Sequence, residues 1–210
     1  MDETKKKLSK IPDGSIDFVI CDPWNVLTVG GKKKIFETPT DRDEYIKKVQ
    51  KRLEGAYKTL KSKPAGGSMM VGVNMFSMTS FGDAIFEKEE VKRALVWFKE
   101  QDETTSEQLR GYRDAREYFL WIVKDRNWTY NLLNDEKYFD GEFKTKDGDK
   151  QGALSVVKDM VLRFTNEGDR VLEVSPAKKS VVRDAVESLG RIYVQGKVSK
   201  KGSILNVTVE

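Results

Sequence analysis

No histidine occurs among the 210 residues, and Cys21 is the one cysteine. The first absence excludes Ser-His-Asp triads, histidine proton relays and histidine-ligated metal centres, so no metal site is expected. The second excludes a disulfide framework and fits a reducing, intracellular compartment, with nucleus, cytoplasm and mitochondrion not distinguished. No apolar run approaches the length of a membrane span, and Met1-Asp2-Glu3 is acidic where a targeting segment would be basic. Nor is there an internal repeat or a low-complexity tract. A chain of this length is enough for one well-buried domain and short for two, so residues 1–210 are read as a single domain.

Charge is what the chain has in abundance. Lys and Arg number 38 against 34 Asp and Glu, a net +4 that permits nucleic-acid contact without requiring it. The lysines are grouped, as Lys5-Lys6-Lys7 with Lys10, Lys32-Lys33-Lys34, and Lys178-Lys179. Such runs are ordinarily solvated faces, but gathered on one rim of a fold they would track a phosphate backbone.

The most informative stretch runs from Ile16 to Asn25. Ile16 to Cys21 has the length and β-branched content of a strand buried on both faces, preceded by the turn residues Pro12-Asp13-Gly14-Ser15. It ends on Asp22-Pro23-Trp24, which the strand would deliver to its carboxyl-end lip, the side on which open α/β sheets bind ligands. Asp22 can accept hydrogen bonds from an amino group, and Trp24 offers a flat face to a planar base. The bland alternative is a strand end followed by a turn-forming proline.

Beyond it, residues 26–39 read as a loop, and apolar positions from Tyr45 to Leu60 at three- and four-residue spacing predict a helix over 41–60. After the Pro64-Ala65-Gly66-Gly67 turn, Ser68 to Val73 predicts a second buried strand, completing a right-handed β-α-β unit. Strands are expected at 91–99 and 117–124 with a polar segment between them. Residues 125–151 read as a polar insertion that builds no core. There Trp128, Tyr130, Tyr138 and Phe139 alternate with Lys137, Lys144 and Lys146, a mixture that suits base stacking or simply packs a loop down. The last third alternates again. A helical stripe (Leu154, Val157, Val161, Leu162, Phe164) leads to a strand at 170–174, a helix at 181–189, and strands at 191–195 and 204–209.

These segments resemble the SAM-dependent amino-methyltransferases that methylate exocyclic amines of adenine or cytosine, in their β-class order with the catalytic motif before the cofactor motif. Ile20-Cys21-Asp22-Pro23-Trp24 is similar to the family's strand followed by Asp-Pro-Pro-aromatic, with one proline missing. Leu60-Lys61 through Gly66-Gly67 resembles a lengthened leucine-lysine-proline-glycine-glycine turn. Trp97-Phe98-Lys99 and Glu117-Tyr118-Phe119-Leu120 through Lys124 match its middle strands. Val161-Leu162-Arg163-Phe164-Thr165 through Gly168-Asp169-Arg170-Val171-Leu172 is the most specific match, the segment leading into the SAM-binding strand. The resemblance covers about Asp13 to Lys197. It implies a three-layer, Rossmann-like α/β fold with a mostly parallel central sheet, and it makes residues 125–151 the position of a reduced target-recognition region, or of an ordinary insertion.

The same resemblance assigns Asp22, Pro23 and Trp24 to a degenerate catalytic motif, and Glu173, Ser175 and Lys197 to the cofactor positions. At those cofactor positions the chain departs from the family. Where a glycine-containing loop should follow the strand, Ser175-Pro176-Ala177-Lys178-Lys179-Ser180 contains none, so its Cβ atoms fill space a close-approaching cofactor needs. Where an acid should accept both ribose hydroxyls stands Lys197, which has only donors. The expectation is therefore a methyltransferase-like protein that has lost SAM and serves as a structural or nucleic-acid-binding subunit. Its partners would be DNA or RNA, or a protein such as an active methyltransferase or a ribonucleoprotein, and no membrane. Lys32, Lys33, Lys34, Lys178 and Lys179 are the nucleic-acid candidates. The alternative is an active SAM-dependent N-methyltransferase on adenine or cytosine, with Asp22 on the target amine and Trp24 stacked on the flipped base.

Overall fold

The computed structural model describes residues 6–22, 39–62, 64–73, 90–99, 116–133, 136–145, 152–174, 180–199 and 203–209. Nine strands form one sheet: β1 (Lys6–Lys10), β2 (Phe18–Cys21), β3 (Gly67–Val73), β4 (Glu90–Lys99), β5 (Arg116–Lys124), β6 (Glu142–Thr145), β7 (Arg170–Val174), β8 (Ile192–Val198) and β9 (Ile204–Val209). Their order across the sheet is β1-β9-β8-β7-β2-β3-β5-β4-β6. Three helices are described: α1 (Pro39–Thr59), α2 (Gly152–Phe164) and α3 (Val181–Ser188).

The middle of the sheet, β8-β7-β2-β3, is parallel, whereas β3-β5, β5-β4, β8-β9 and β9-β1 pair antiparallel. The sheet is thus mixed, with its parallel character concentrated around the first predicted strand. The β2-to-β3 crossover steps one way along the sheet and the β7-to-β8 crossover the other. Right-handed connections therefore put α1 and α3 on opposite faces, and the strand order reverses between β2 and β7. In such sheets the crevice for a ligand opens at that reversal, outside the carboxyl ends.

The central strand is buried as its composition requires. Phe18, Val19, Ile20 and Cys21 are all enclosed, and every residue of β3 is buried as well. Strand β2 is held in register at its start by Asp17, whose carboxylate accepts the Arg170 N–H at 2.9 Å and pairs with Lys61 at 2.5 Å. Lys124 closes α1 by donating to the carbonyls of Leu60 (2.9 Å), Tyr57 (3.3 Å) and Lys58 (3.4 Å), a cation at the negative end of the helix.

One expectation is made more specific and two are corrected. The basic group Lys5-Lys6-Lys7 with Lys10 falls, from Lys6 on, in the edge strand β1 paired with β9. Lysines there suit an edge, because they discourage further strand pairing. The segment 125–151 does build core, since Phe139 and Phe143 are buried and β6 pairs with β4. In α2 the buried stripe runs through Val156, Val157, Met160, Val161 and Phe164, while Leu154 and Leu162 are only half-buried.

Candidate active site at the carboxyl ends of the central strands

The register places two of the sequence-predicted residues, Asp22 and Lys197, on one lip. Cys21 pairs with Val174 and Val174 with Gly196, so the residues that follow, Asp22 and Lys197, stand in the next row of the same edge. With strands about 4.8 Å apart, their backbones lie roughly 10 Å from each other across β7. Ser175, Pro23, Trp24, Lys32, Lys33, Lys34, Lys178 and Lys179 lie outside the described residues.

Asp22 is half-buried and Lys197 exposed. Asp22 shares its surroundings with α1. The guanidinium of Arg52 and the Asp22 carboxylate both act on the Cys21 thiol and on the Tyr45 hydroxyl. Burial pushes Cys21 up to about 12, with Arg52 opposing and Asp22 adding to the shift. A thiol held that high is not a nucleophile at neutral pH, so Cys21 is a core residue, as its strand position suggests. Burial likewise raises Tyr45. Neither Tyr45 nor Arg52 carried a motif in the sequence; the signal available was their place on the apolar side of a helix that returns across β2.

Glu173 sits one residue inside the lip, in register with Ile20 and Gln195. Its carboxylate accepts hydrogen bonds from the Ser180 hydroxyl and, at 2.6 Å, from the Tyr193 hydroxyl. Ser180 is the N-cap of α3, and its oxygen also accepts the Arg183 N–H at 3.1 Å. Arg183 in turn lies over the Tyr193 ring, 4.9 Å from its centroid, and donates to Gln195 at 3.1 Å. Burial raises Glu173, while the two hydroxyl donors and the Arg183 charge pull it back. Burial and the Glu173 hydrogen bond both push the Tyr193 phenol up. The carboxylate at the end of β7 is therefore tied into a network that joins β7, β8 and the first turn of α3.

The opposite end of the sheet explains the Arg163-Phe164-Thr165 run. The Arg163 guanidinium, 3% exposed, holds Glu136 through two bonds of 2.6 and 2.9 Å, also binds Asp159, and lies 4.0 Å from the centroid of Phe139. Phe164 stacks on Phe18 at 5.6 Å and meets Trp121 at 4.9 Å. The Thr165 hydroxyl accepts from Arg191 at 3.1 Å. Asn131 donates to the carbonyls of Leu162 (2.9 Å) and Thr165 (3.0 Å), closing the end of α2. These residues fasten the polar segment to α2 and α2 to the sheet; none of them is at the lip. Among the described residues no group of acids and cysteine could hold a metal ion, and no helix is long and apolar enough to cross a membrane.

Comparison with known proteins agrees with this fold. The family model described as DNA methylase, of the N6/N4 type, matches residues 16–173. No curated protein matches the chain. Among solved structures, the M1.HpyAVI–SAM complex is 20% identical with a TM-score of 0.61, covering 89% of this chain and 84% of that one. The Thermus thermophilus protein TTHA0409, complexed with S-adenosyl-L-methionine, is 16% identical with a TM-score of 0.63, covering 90% and 84%. The cytosine-N4-specific PvuII DNA methyltransferase is 13% identical with a TM-score of 0.65, covering 88% and 76%. At these identities the likeness is one of fold.

Proposed function

We propose, from the premise that this chain belongs to the N6/N4 DNA methylase family, that it keeps the family's fold without binding SAM and serves as a structural or nucleic-acid-binding subunit of a larger assembly. The observation that carries the reading is the state of the lip. The carboxylate on β7 is engaged by Ser180 and Tyr193, and Lys197, one residue before the end of β8, is exposed. A ribose needs acceptors for its two hydroxyls, and a lysine ammonium supplies donors only. An ammonium on this rim also adds like charge to that of a sulfonium. The intervening sequence 175–180 has no glycine to let a ligand approach the backbone. These groups do not fit the cofactor.

Lysines would give the altered site another use. Lys197, with Lys178-Lys179 and Lys32-Lys33-Lys34 in the flanking sequence, would favour a phosphate backbone, each contact adding to the salt dependence of binding. One observation favours the second reading, an active amino-methyltransferase on adenine or cytosine. Asp22 remains at the end of β2, beside the strand reversal, where an acid could accept from a target amine.

Calorimetric titration with SAM decides between them. No binding heat is expected for the native chain up to millimolar SAM, and a gain of binding is expected when Lys197→Glu is combined with a glycine-containing loop at 176–179. Binding of the native chain at micromolar SAM, followed by methyl transfer to DNA that Asp22→Ala abolishes, would establish the enzyme instead.

A further inference from the structure

Helix α1 turns two different faces toward the rest of the chain. Val49, Leu53, Ala56 and Leu60 are buried in the core, as the apolar stripe of an amphipathic helix should be. The adjoining face, Lys51, Glu54, Gly55, Lys58 and Thr59, has the same three- and four-residue spacing but no large apolar side chain. It meets the end of β1 and the start of β9 without closing on them, and a cavity of about 290 Å³ is left between. Ile11 and Ile204, both buried, line it from the strands, and Gly55 opens it from the helix. Inside a helix glycine is costlier than any residue but proline, so α1 gives up stability at the point where this space opens. None of Asp22, Glu173 and Lys197 lines it.

The walls are fastened to one another. The Ile11 N–H donates to the Ile204 carbonyl at 3.0 Å, the Gly14 N–H to that of Lys58 at 3.1 Å, and the Ser15 and Ile16 N–H groups to that of Thr59 at 2.9 Å. A cavity held in this way loses little freedom when a ligand enters. Three ammoniums (Lys10, Lys51, Lys58) and two carboxylates (Asp13, Glu54) line it as well, all on exposed residues. Lys10 and Asp13 pair at 3.5 Å with 62% and 60% of their side chains in solvent, so a competing partner displaces that pair easily. The negative end of α1 does not oppose an anion here. Its Lys58 and Thr59 carbonyls accept from residues 14–16, and the Lys124 ammonium adds a contact to Lys58 at 3.4 Å.

One class of ligand uses both kinds of charge. An ammonium is a point-charge partner for a phosphate or carboxylate, a carboxylate accepts from hydroxyls, and isoleucines suit the C–H face of a small ring. A cavity of about 150 Å³ accommodates benzene, so this one, at about 290 Å³, holds roughly twice as many atoms, about a dozen. That is the size of a monosaccharide and too small for a nucleoside-bearing cofactor.

We propose that the cavity between α1 and the β1 and β9 strands binds a monosaccharide-sized polyhydroxylated anion, its acid group taken by Lys51 and Lys58 and its hydroxyls by Asp13 and Glu54. This does not rest on the reading of the lip. The test is calorimetric titration of the full chain with glucose 6-phosphate, glucuronate, glucose and inorganic phosphate. At least one sugar anion is expected to bind about tenfold more tightly than glucose or phosphate alone, and the tighter of the two identifies the acid group as phosphate or carboxylate. Lys51→Gln combined with Lys58→Gln should weaken that binding about tenfold. Both lysines are exposed, so an unchanged melting temperature will show that this variant folds. Gly55→Leu should fill the space, abolish binding and raise the melting temperature, since leucine favours a helix over glycine. Native affinity in the doubly substituted chain, or phosphate alone binding as tightly as the sugar anions, would overturn the inference. So would the absence of binding by the native chain to either sugar anion at tens of millimolar. None of these outcomes bears on SAM, which the titration described above decides.

Discussion

The two ends of the parallel strands differ in what their side chains are occupied with. At the amino ends, Asp17, Lys124, Asn131, Arg163 and Thr165 spend their hydrogen bonds on backbone carbonyls, a backbone N–H and the side chains of Lys61, Glu136, Asp159 and Arg191. At the carboxyl ends, where a family member would present groups to a ligand, Glu173 is turned into the network of Ser180 and Tyr193, and Lys197 stands open. The family motif most fully retained, Arg163-Phe164-Thr165, belongs to the first end. Its retention therefore speaks for the fold and carries no information on the cofactor.

The most direct way to break that contrast is to remove its aromatic anchor. Phe164 is fully enclosed between Phe18 on β2 and Trp121 on β5, with Tyr130 6.0 Å away. Phe164→Ala should cost about 3–5 kcal/mol in chemical denaturation, the range for an aromatic deleted from a core. A loss under about 1 kcal/mol would mean that the end of α2 is not what holds the layers together.

A smaller effect sharpens the comparison, because each end has a tight glycine. A Cβ on Gly66 would lie 2.5 Å from the Lys124 carbonyl oxygen and 3.2 Å from the Trp128 nitrogen, both backbone atoms. One on Gly196, at the lip, would meet the ends of the Leu172 and Ile204 side chains at 2.7 and 2.8 Å. Side-chain ends can turn aside and backbone cannot. Gly66→Ala is therefore expected to destabilise by about 2–3 kcal/mol and Gly196→Ala by about 1 kcal/mol, read as the difference in denaturation midpoints. The reverse order would show the amino end to be the more yielding one.

The parts of this architecture that sequence reveals are those buried on two faces. Phe18 to Cys21, Gly67 to Val73 and the α1 stripe are apolar enough to declare their period, and their right-handed connection follows. Edge strands were hidden for the opposite reason. β1 is Lys-Lys-Leu-Ser-Lys and β6 Glu-Phe-Lys-Thr, each with a single apolar residue, so neither stands out from a charged loop. Phe139 and Phe143 were hidden too, since what makes a polar connection part of the core is Arg163, many residues away. At the lip, Asp22 was legible as the end of an apolar run and Lys197 only through the family resemblance; that they stand in one row is read from the register. The engagement of Glu173 was not, because it depends on a serine seven residues on and a tyrosine twenty residues on.

The finest test asks whether the Glu173 network is a structural unit in its own right, and pH supplies the lever. The ordinary value for this carboxyl is 4.5, and burial raises it in the folded chain against the opposing pull of Ser180, Tyr193 and Arg183. Between 4.5 and the raised folded value the native state holds a proton that the unfolded chain has released, so unfolding becomes easier as pH climbs through that window. Below it the contribution is fully present, and above it the contribution is lost. Glu173→Gln keeps one acceptor oxygen and the shape of the side chain while removing the charge. The stability difference between Glu173→Gln and the native chain should therefore shift in favour of the variant as pH rises from about 4 toward neutrality, then level off. Asp159 and Asp169 are raised as well, but they titrate in both proteins and cancel in the difference. A difference that stays flat across the window, or shifts the other way, would show that the hydroxyls and Arg183 outweigh burial, and that the charged carboxylate is what joins β7, β8 and α3.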